Sequence, residues 1–238
     1  MNKTFIIAQK ELNLFFNSLI AYIILSAFLG FNGFFTWISG FDIFYLNQAS
    51  LKHFFDIAYW SLFLFIPALT MRSIAEERKN GTIEILLTKS VNEWNIIFGK
   101  LLSNFVLIAI ALILTIPYYL TVSYLGNIDH PTVICGYLGL LLISIFYISI
   151  GIFASSVNEN QVVAFLISIF IGIFFHLIFD ILASTTNSSI SKLFYFLSVN
   201  NHFSSINRGV IDSRDIIFFI SFSFIFLNLA YINLIKRK

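Results

Sequence analysis

Five stretches of this chain, residues 12–41, 101–128, 130–158, 160–179 and 216–235, contain no Asp, Glu, Lys or Arg. A helix rises about 1.5 Å per residue, so roughly 20 apolar residues cross a hydrocarbon core about 30 Å thick. Each stretch is long enough to cross. With 58% apolar residues, 11% charged residues and 30 phenylalanines, the composition excludes an ordinary soluble domain. A sixth span fits between Phe54 and Met71 if Asp56 sits at one headgroup boundary and Arg72 snorkels at the other. The sequence predicts an all-α membrane protein, a single transmembrane domain over residues 1–238. Its six spans fall at about 18–38, 54–74, 97–124, 132–157, 161–183 and 216–235.

Six spans put both termini and the second and fourth loops on one side. That side carries Lys3, Lys10, Arg72, Arg78, Lys79, Lys89, Lys100, Lys236, Arg237 and Lys238; the other carries Lys52, Lys192, Arg208 and Arg214. The positive-inside bias then places both termini in the cytoplasm. Net charge is only +2 and the basic residues serve topology, so no nucleic-acid partner is expected. The first span lacks the cleavage pattern of a removed signal peptide. Cys135 is the sole cysteine, lies in an apolar run and is expected to pack there.

Ahead of the first span, residues 3–16 place Phe5, Ala8, Leu12 and Phe15 at helical spacing, with Lys3, Gln9, Lys10, Glu11 and Asn13 on the other side. This predicts a helix lying in the inner headgroup layer. Between the second and third spans, Arg72 to Trp94 concentrates charge. Pro67 should kink the second helix, which then continues through good helix formers and stops at Asn80-Gly81. A helix from Phe54 to Asn80 would extend roughly 10 Å beyond the hydrocarbon. Thr82 can cap a short cross helix with Ile83, Leu86 and Leu87 on one face and Glu84 on another; Ser90 or Asn92 can cap the next. The segment K-L-F-Y-F-L-S-V, before the sixth span, is too short to cross and is expected to dip into the outer leaflet and return.

Several chemistries are missing. No G-x-x-x-x-G-K-[ST] occurs, so Gly99-Lys100 is no nucleotide loop and ATP hydrolysis by this chain is not expected; no cofactor is expected on it either. No H-E-x-x-H is present, and His53, His130, His176 and His202 lack metal-ligand spacing. Glu76-Glu77 is followed by Gly81 where intramembrane proteases with paired glutamates carry Arg, which disfavours that class.

Four segments, in order, carry a family likeness: A-Q-K-E-L (residues 8–12); P-A-L-T-M-R-S-I-A-E-E-R-K-N-G-T-I-E-I-L-L-T-K-S-V through to G-K (67–100); G-I-F-A-S-S-V-N-E-N-Q-V-V-A-F (151–165); and L-S-V-N-N-H-F-S-S-I-N-R-G-V-I-D-S-R-D (197–215). With them the chain resembles the membrane subunits of ABC-2 type exporters, and most closely the gliding-motility-associated permease subunits of Bacteroidetes. Ser90 departs from the proline common in such sequences, though Ser also caps a helix.

The resemblance implies an ABC-2 exporter fold with an interfacial helix, a cytoplasmic coupling helix and an outer re-entrant segment. It implies a separate ABC ATPase subunit as partner, with ATP acting through that subunit, and docking at Glu76, Glu77, Gly81, Thr82, Ile83, Glu84, Leu86 and Leu87. It places Ser198, His202, Phe203, Arg208, Gly209 and Asp212 at an outer gate. A second permease chain is expected, either a copy or a gliding-type subunit bearing an outer domain, in a bacterial inner membrane and in contact with membrane lipid. Two other readings compete: an anchor or assembly module of a surface machine without a transported solute, and an intramembrane enzyme or ATP-independent transporter. The absence of paired acidic or metal-ligand sites deep in the spans counts against the last.

Overall fold

The computed structural model describes residues 3–38, 49–83, 92–185 and 189–236. Six of its helical stretches are long and apolar enough to cross a membrane: Leu19–Trp37, Lys52–Lys79, Glu93–Leu125, His130–Val157, Gln161–Thr185 and Ser213–Ile235. They coincide with the six expected spans, and no strand occurs among the described residues. We call the end of the bundle that carries both chain termini the terminal end and the opposite one the far end.

The chain begins with α1 (Lys3–Asn17), then α2 (Leu19–Trp37) as first span. The second span is α3 (Lys52–Thr70), followed by the short α4 (Ala75–Lys79). The third is α5 (Glu93–Ile113) and α6 (Ile116–Leu125), and the fourth is α7 (His130–Val157). The fifth comprises α8 (Gln161–Ile173), a π-helical turn over Phe174–Ile178 and α9 (Phe179–Thr185). Two short helices, α10 (Ser189–Leu197) and α11 (Val199–Ile206), precede the sixth span, α12 (Ser213–Ile235).

The centre of the bundle is α7, against which α3, α5, α8, α11 and α12 pack. Its small residues permit this. A Cβ on Gly136 would lie 2.6 Å from the Phe55 ring, and one on Gly151 would collide with the Thr70 hydroxyl. In lipid, helices associate through such close packing because apolar burial alone does not separate protein from solvent. Some polar side chains of the core bond within their own helices, as Ser144 does to the Leu140 carbonyl and Thr70 to that of Ile66, and others bridge helices, as Asn32 does to Ser61.

Two expected continuous helices are broken. The protruding second helix is interrupted at 71–74, and Ser155 of α7 takes up the freed backbone groups. Its hydroxyl accepts from the amides of Ile74 and Ala75, both at 2.9 Å, and donates to the Met71 carbonyl at 3.0 Å. Two acceptor sites and one proton are the full capacity of a hydroxyl, so the break is satisfied by one side chain. The third span breaks at Leu114–Thr115, ahead of Pro117. There the Tyr137 hydroxyl donates to the Thr115 carbonyl at 3.2 Å.

Candidate functional site

The expected helix α1 is present, and Ala8, Leu12 and Phe15 of its expected apolar face are buried or half-buried. Ile7 and Ala8 are buried, whereas Phe5 is 58% exposed, and Ile6 and Leu14 are also exposed. The reason lies on α5, where Gly99 leaves room for α1: a Cβ there would sit 2.7 Å from Ile7 Cγ2 and 3.1 Å from the Thr4 carbonyl oxygen. One turn earlier, the Thr4 hydroxyl donates to Asn95 Oδ1 at 3.1 Å. The exposed Phe5, Ile6 and Leu14 suit a helix bedded in the headgroup layer.

Beside Gly99, Lys100 points to the junction of three elements. Its side chain is 1% exposed, and its ammonium lies 3.1 Å from Glu11 Oε1 of α1 and 2.8 Å from Glu77 Oε2 of α4. Lys10 approaches the other oxygen of Glu77 at 3.7 Å but is half exposed. Two cations therefore face two carboxylates. A buried ammonium is tolerable only when it is paired and hydrogen-bonded, and the two glutamates meet that condition. One turn further along α5, Asn104 donates to the Lys100 carbonyl at 2.6 Å and to Ser73 Oγ, in the break between α3 and α4, at 3.3 Å. The knot is thus tied to the Ser155 staple through a single short turn of chain.

Above the knot opens a cleft of about 440 Å³ lined by Lys10, Glu11, Arg72, Glu76, Glu77 and Thr82, among others. Glu76 and Glu77, expected to share a role, thus line the same cleft. Gly81 has φ 68°, the left-handed conformation expected of a helix stop, directly after the α4 cap at Asn80. Thr82 is exposed, and its hydroxyl donates to the Glu77 carbonyl at 3.2 Å; the amides it is expected to cap lie outside the described residues. Ile83 is buried. Glu84, Leu86, Leu87 and Ser90 lie outside the described residues, and Asn92 caps α5 by accepting from the Trp94 amide at 3.4 Å.

At the far end, all six residues expected near the outer gate are described. Ser198 caps α11, and His202 and Phe203 turn inward from it. Phe203 stacks on Tyr59 of α3 with ring centroids 4.9 Å apart. His202 Nδ1 and Asp215 Oδ1 of α12 lie 2.6 Å apart, and His202 Nε2 donates to the Phe196 carbonyl at 2.8 Å. Arg208 is exposed, Gly209 has φ 86°, and Asp212 caps α12 by accepting from the Arg214 amide.

A family model described as ABC-2 family transporter protein matches residues 35–227. The chain belongs to the ABC-2 transporter family. It is therefore a multi-pass membrane permease component, and the family implies an ABC ATPase as partner. Comparison with curated proteins finds no match. The family match begins beyond α1, so the permease's Lys10 and Glu11 enter the site through geometry alone.

Reasoning from the sequence missed Lys10, Glu11, Lys100 and Asp215 as site residues. Lys100 carried a usable signal, being a lysine well inside a helix that begins at Glu93, next to a glycine. Among the described residues no three His, Cys, Asp or Glu side chains gather as a metal site. His176 instead lies buried in the π-turn, with Nδ1 2.7 Å from the Tyr147 hydroxyl and its ring stacked on Tyr59 and Phe63.

Proposed function

We propose that the permease couples ATP hydrolysis in a separate ATPase subunit to movement of its helices, with the ATPase docking on the loop from Gly81 to Leu87. The terminal end is then the cytoplasmic end, as its excess of basic residues also indicates. The observation that carries this reading is Lys100, buried and paired with glutamates from two other elements. A docking loop on a flexible tether would absorb a push from a partner. Here the loop begins at Gly81, one helical turn after Glu77, and Glu77 is clamped to α5 and, through Lys100, to α1. Displacement of the loop is therefore passed to the second and third spans and to α1 together, the condition for a rigid-body shift between packed states.

The cleft above the knot supports the same reading. It presents both signs of charge at the end of the molecule where a soluble partner has access, suited to fixing the register of a docked protein. ATP acts on this chain only through that partner, and alternating access needs a second permease chain to complete the path. The four segment likenesses support a second chain within a gliding-type complex, as a copy or as a subunit bearing an outer domain.

Copurification tests the docking assignment. Glu84→Lys and Leu86→Pro are each expected to release the ATPase while the permease stays in the membrane fraction and elutes as a single folded species. Unchanged association in both variants would contradict the assignment.

A further inference from the structure

On α3, Asp56, Trp60 and Leu64 follow one another at four-residue spacing, and all three are exposed. They form one stripe that starts a turn inside the far end and runs toward the middle of the span. Phe31 and Phe35 of α2 stand across from its upper part, and together with His53, Asp56, Ile57 and Trp60 they enclose a groove of about 300 Å³. The groove has a carboxylate at its top and aromatic rings along its walls.

Asp56 makes no ion pair or hydrogen bond among the described residues. The undescribed far-end segments, 39–48 and 186–188, contain no Lys, Arg or His and so hold no cation for it. Lys52, one turn before Asp56, and the neighbouring His53 attract the carboxylate, but Lys52 does not come within 4 Å. A lysine preceding its acidic partner by four residues is also the weaker order for a helical pair. In the same groove, His53 Nε2 is buried without a hydrogen-bond partner. A carboxylate at the level of the headgroups, held among rings with negative faces, recognises a cation.

We propose that this groove binds the amine headgroup of a membrane phospholipid. The ammonium sits between Asp56 and the faces of Trp60 and the phenylalanines, and an acyl chain lies along Trp60, Leu64 and Phe31. A free organic cation would use the upper groove but has no use for the apolar stripe beneath it. A lipid without an amine would use the stripe but leave Asp56 uncovered. Only an amphiphile with a cationic head meets both. The proposal is independent of the ATPase coupling, because neither the groove nor its test involves the terminal end.

The test is native mass spectrometry of the full-length permease released from bilayers containing equal amounts of phosphatidylethanolamine and phosphatidylglycerol with identical acyl chains. The native protein is expected to retain phosphatidylethanolamine by about fivefold over phosphatidylglycerol, the scale of one partly desolvated cation–aromatic site. Asp56→Asn is expected to abolish the preference while leaving total retained lipid unchanged, and Trp60→Leu to reduce it. Equal retention of the two lipids by the native protein, or an undiminished preference in Asp56→Asn, overturns the proposal. So does a disulfide-linked dimer formed in the membrane by Trp60→Cys in a background with Cys135→Ser, because the stripe would then be covered by a second copy.

Discussion

The charged knot at the terminal end and the His202–Asp215 pair at the far end are both buried, yet they join different kinds of partner. Lys100 binds Glu11 and Glu77, which come from two other elements, 89 and 23 residues earlier in the chain. His202 binds Asp215 just thirteen residues later, across the single turn that leads from α11 into α12. The first contact fastens separate parts of the molecule into one body. The second fastens a short helical pair to the span that follows it. On the proposed coupling, stiffness is needed where force enters, and a more local closure where the path would open.

The comparison breaks most sharply at Lys100. Lys100→Met leaves Glu11 and Glu77 facing each other without their shared cation, and removing one partner of a buried ion pair costs about 3–5 kcal/mol. Thermal unfolding in detergent is expected to drop accordingly, with α1 becoming the earliest site of proteolysis. Less severe is Gly99→Val, which forces Ile7 and the Thr4 backbone away; overpacking of this kind costs about 1–3 kcal/mol. It is expected to loosen α1 while the knot's own charges remain, and cysteine accessibility at position 8 would report it.

Asp215→Asn is expected to cost about 1–2 kcal/mol and to act locally. Hydrogen exchange should rise in α10 and α11 and stay unchanged in α1 and α4. A rise at both ends would mean that the two contacts are coupled and that the far-end pair is not a separable latch. The smallest effect is at Lys10, half exposed and 3.7 Å from Glu77. Its replacement by Ala is expected to shift stability by less than about 1 kcal/mol, and less still at high salt.

The spans were legible in the sequence because exclusion of charge is a one-dimensional signal: a run without Asp, Glu, Lys or Arg needs no tertiary information to be seen. The stop at Asn80-Gly81 was legible for a similar reason, since the left-handed conformation of Gly81 is a local preference. What escaped depended on contacts between distant residues. The break after Thr70 requires Ser155, some eighty residues away, to satisfy the freed amides. On α1, hydrophobic spacing picked out Ala8, Leu12 and Phe15, which are buried or half-buried, but the burial of Ile7 depends on the gap at Gly99, which only packing reveals. Of the candidate site, Glu76, Glu77 and His202 were named through the family resemblance, whereas the pairing of Glu77 with Lys100 and of His202 with Asp215 becomes visible only once the helices are packed.

If the loop after α4 receives the ATPase, the knot at Glu77 is where its displacement enters the spans. Site-specific photocrosslinking tests it most directly, with the photoreactive residue placed at Thr82, exposed beside the knot, or at Val210, exposed at the far end. The account predicts an ATPase adduct from position 82 and none from position 210, with the position-82 adduct weakened when Lys100→Met is added. An ATPase that copurifies yet gives no adduct from position 82, or gives equal adducts from both positions, would contradict it.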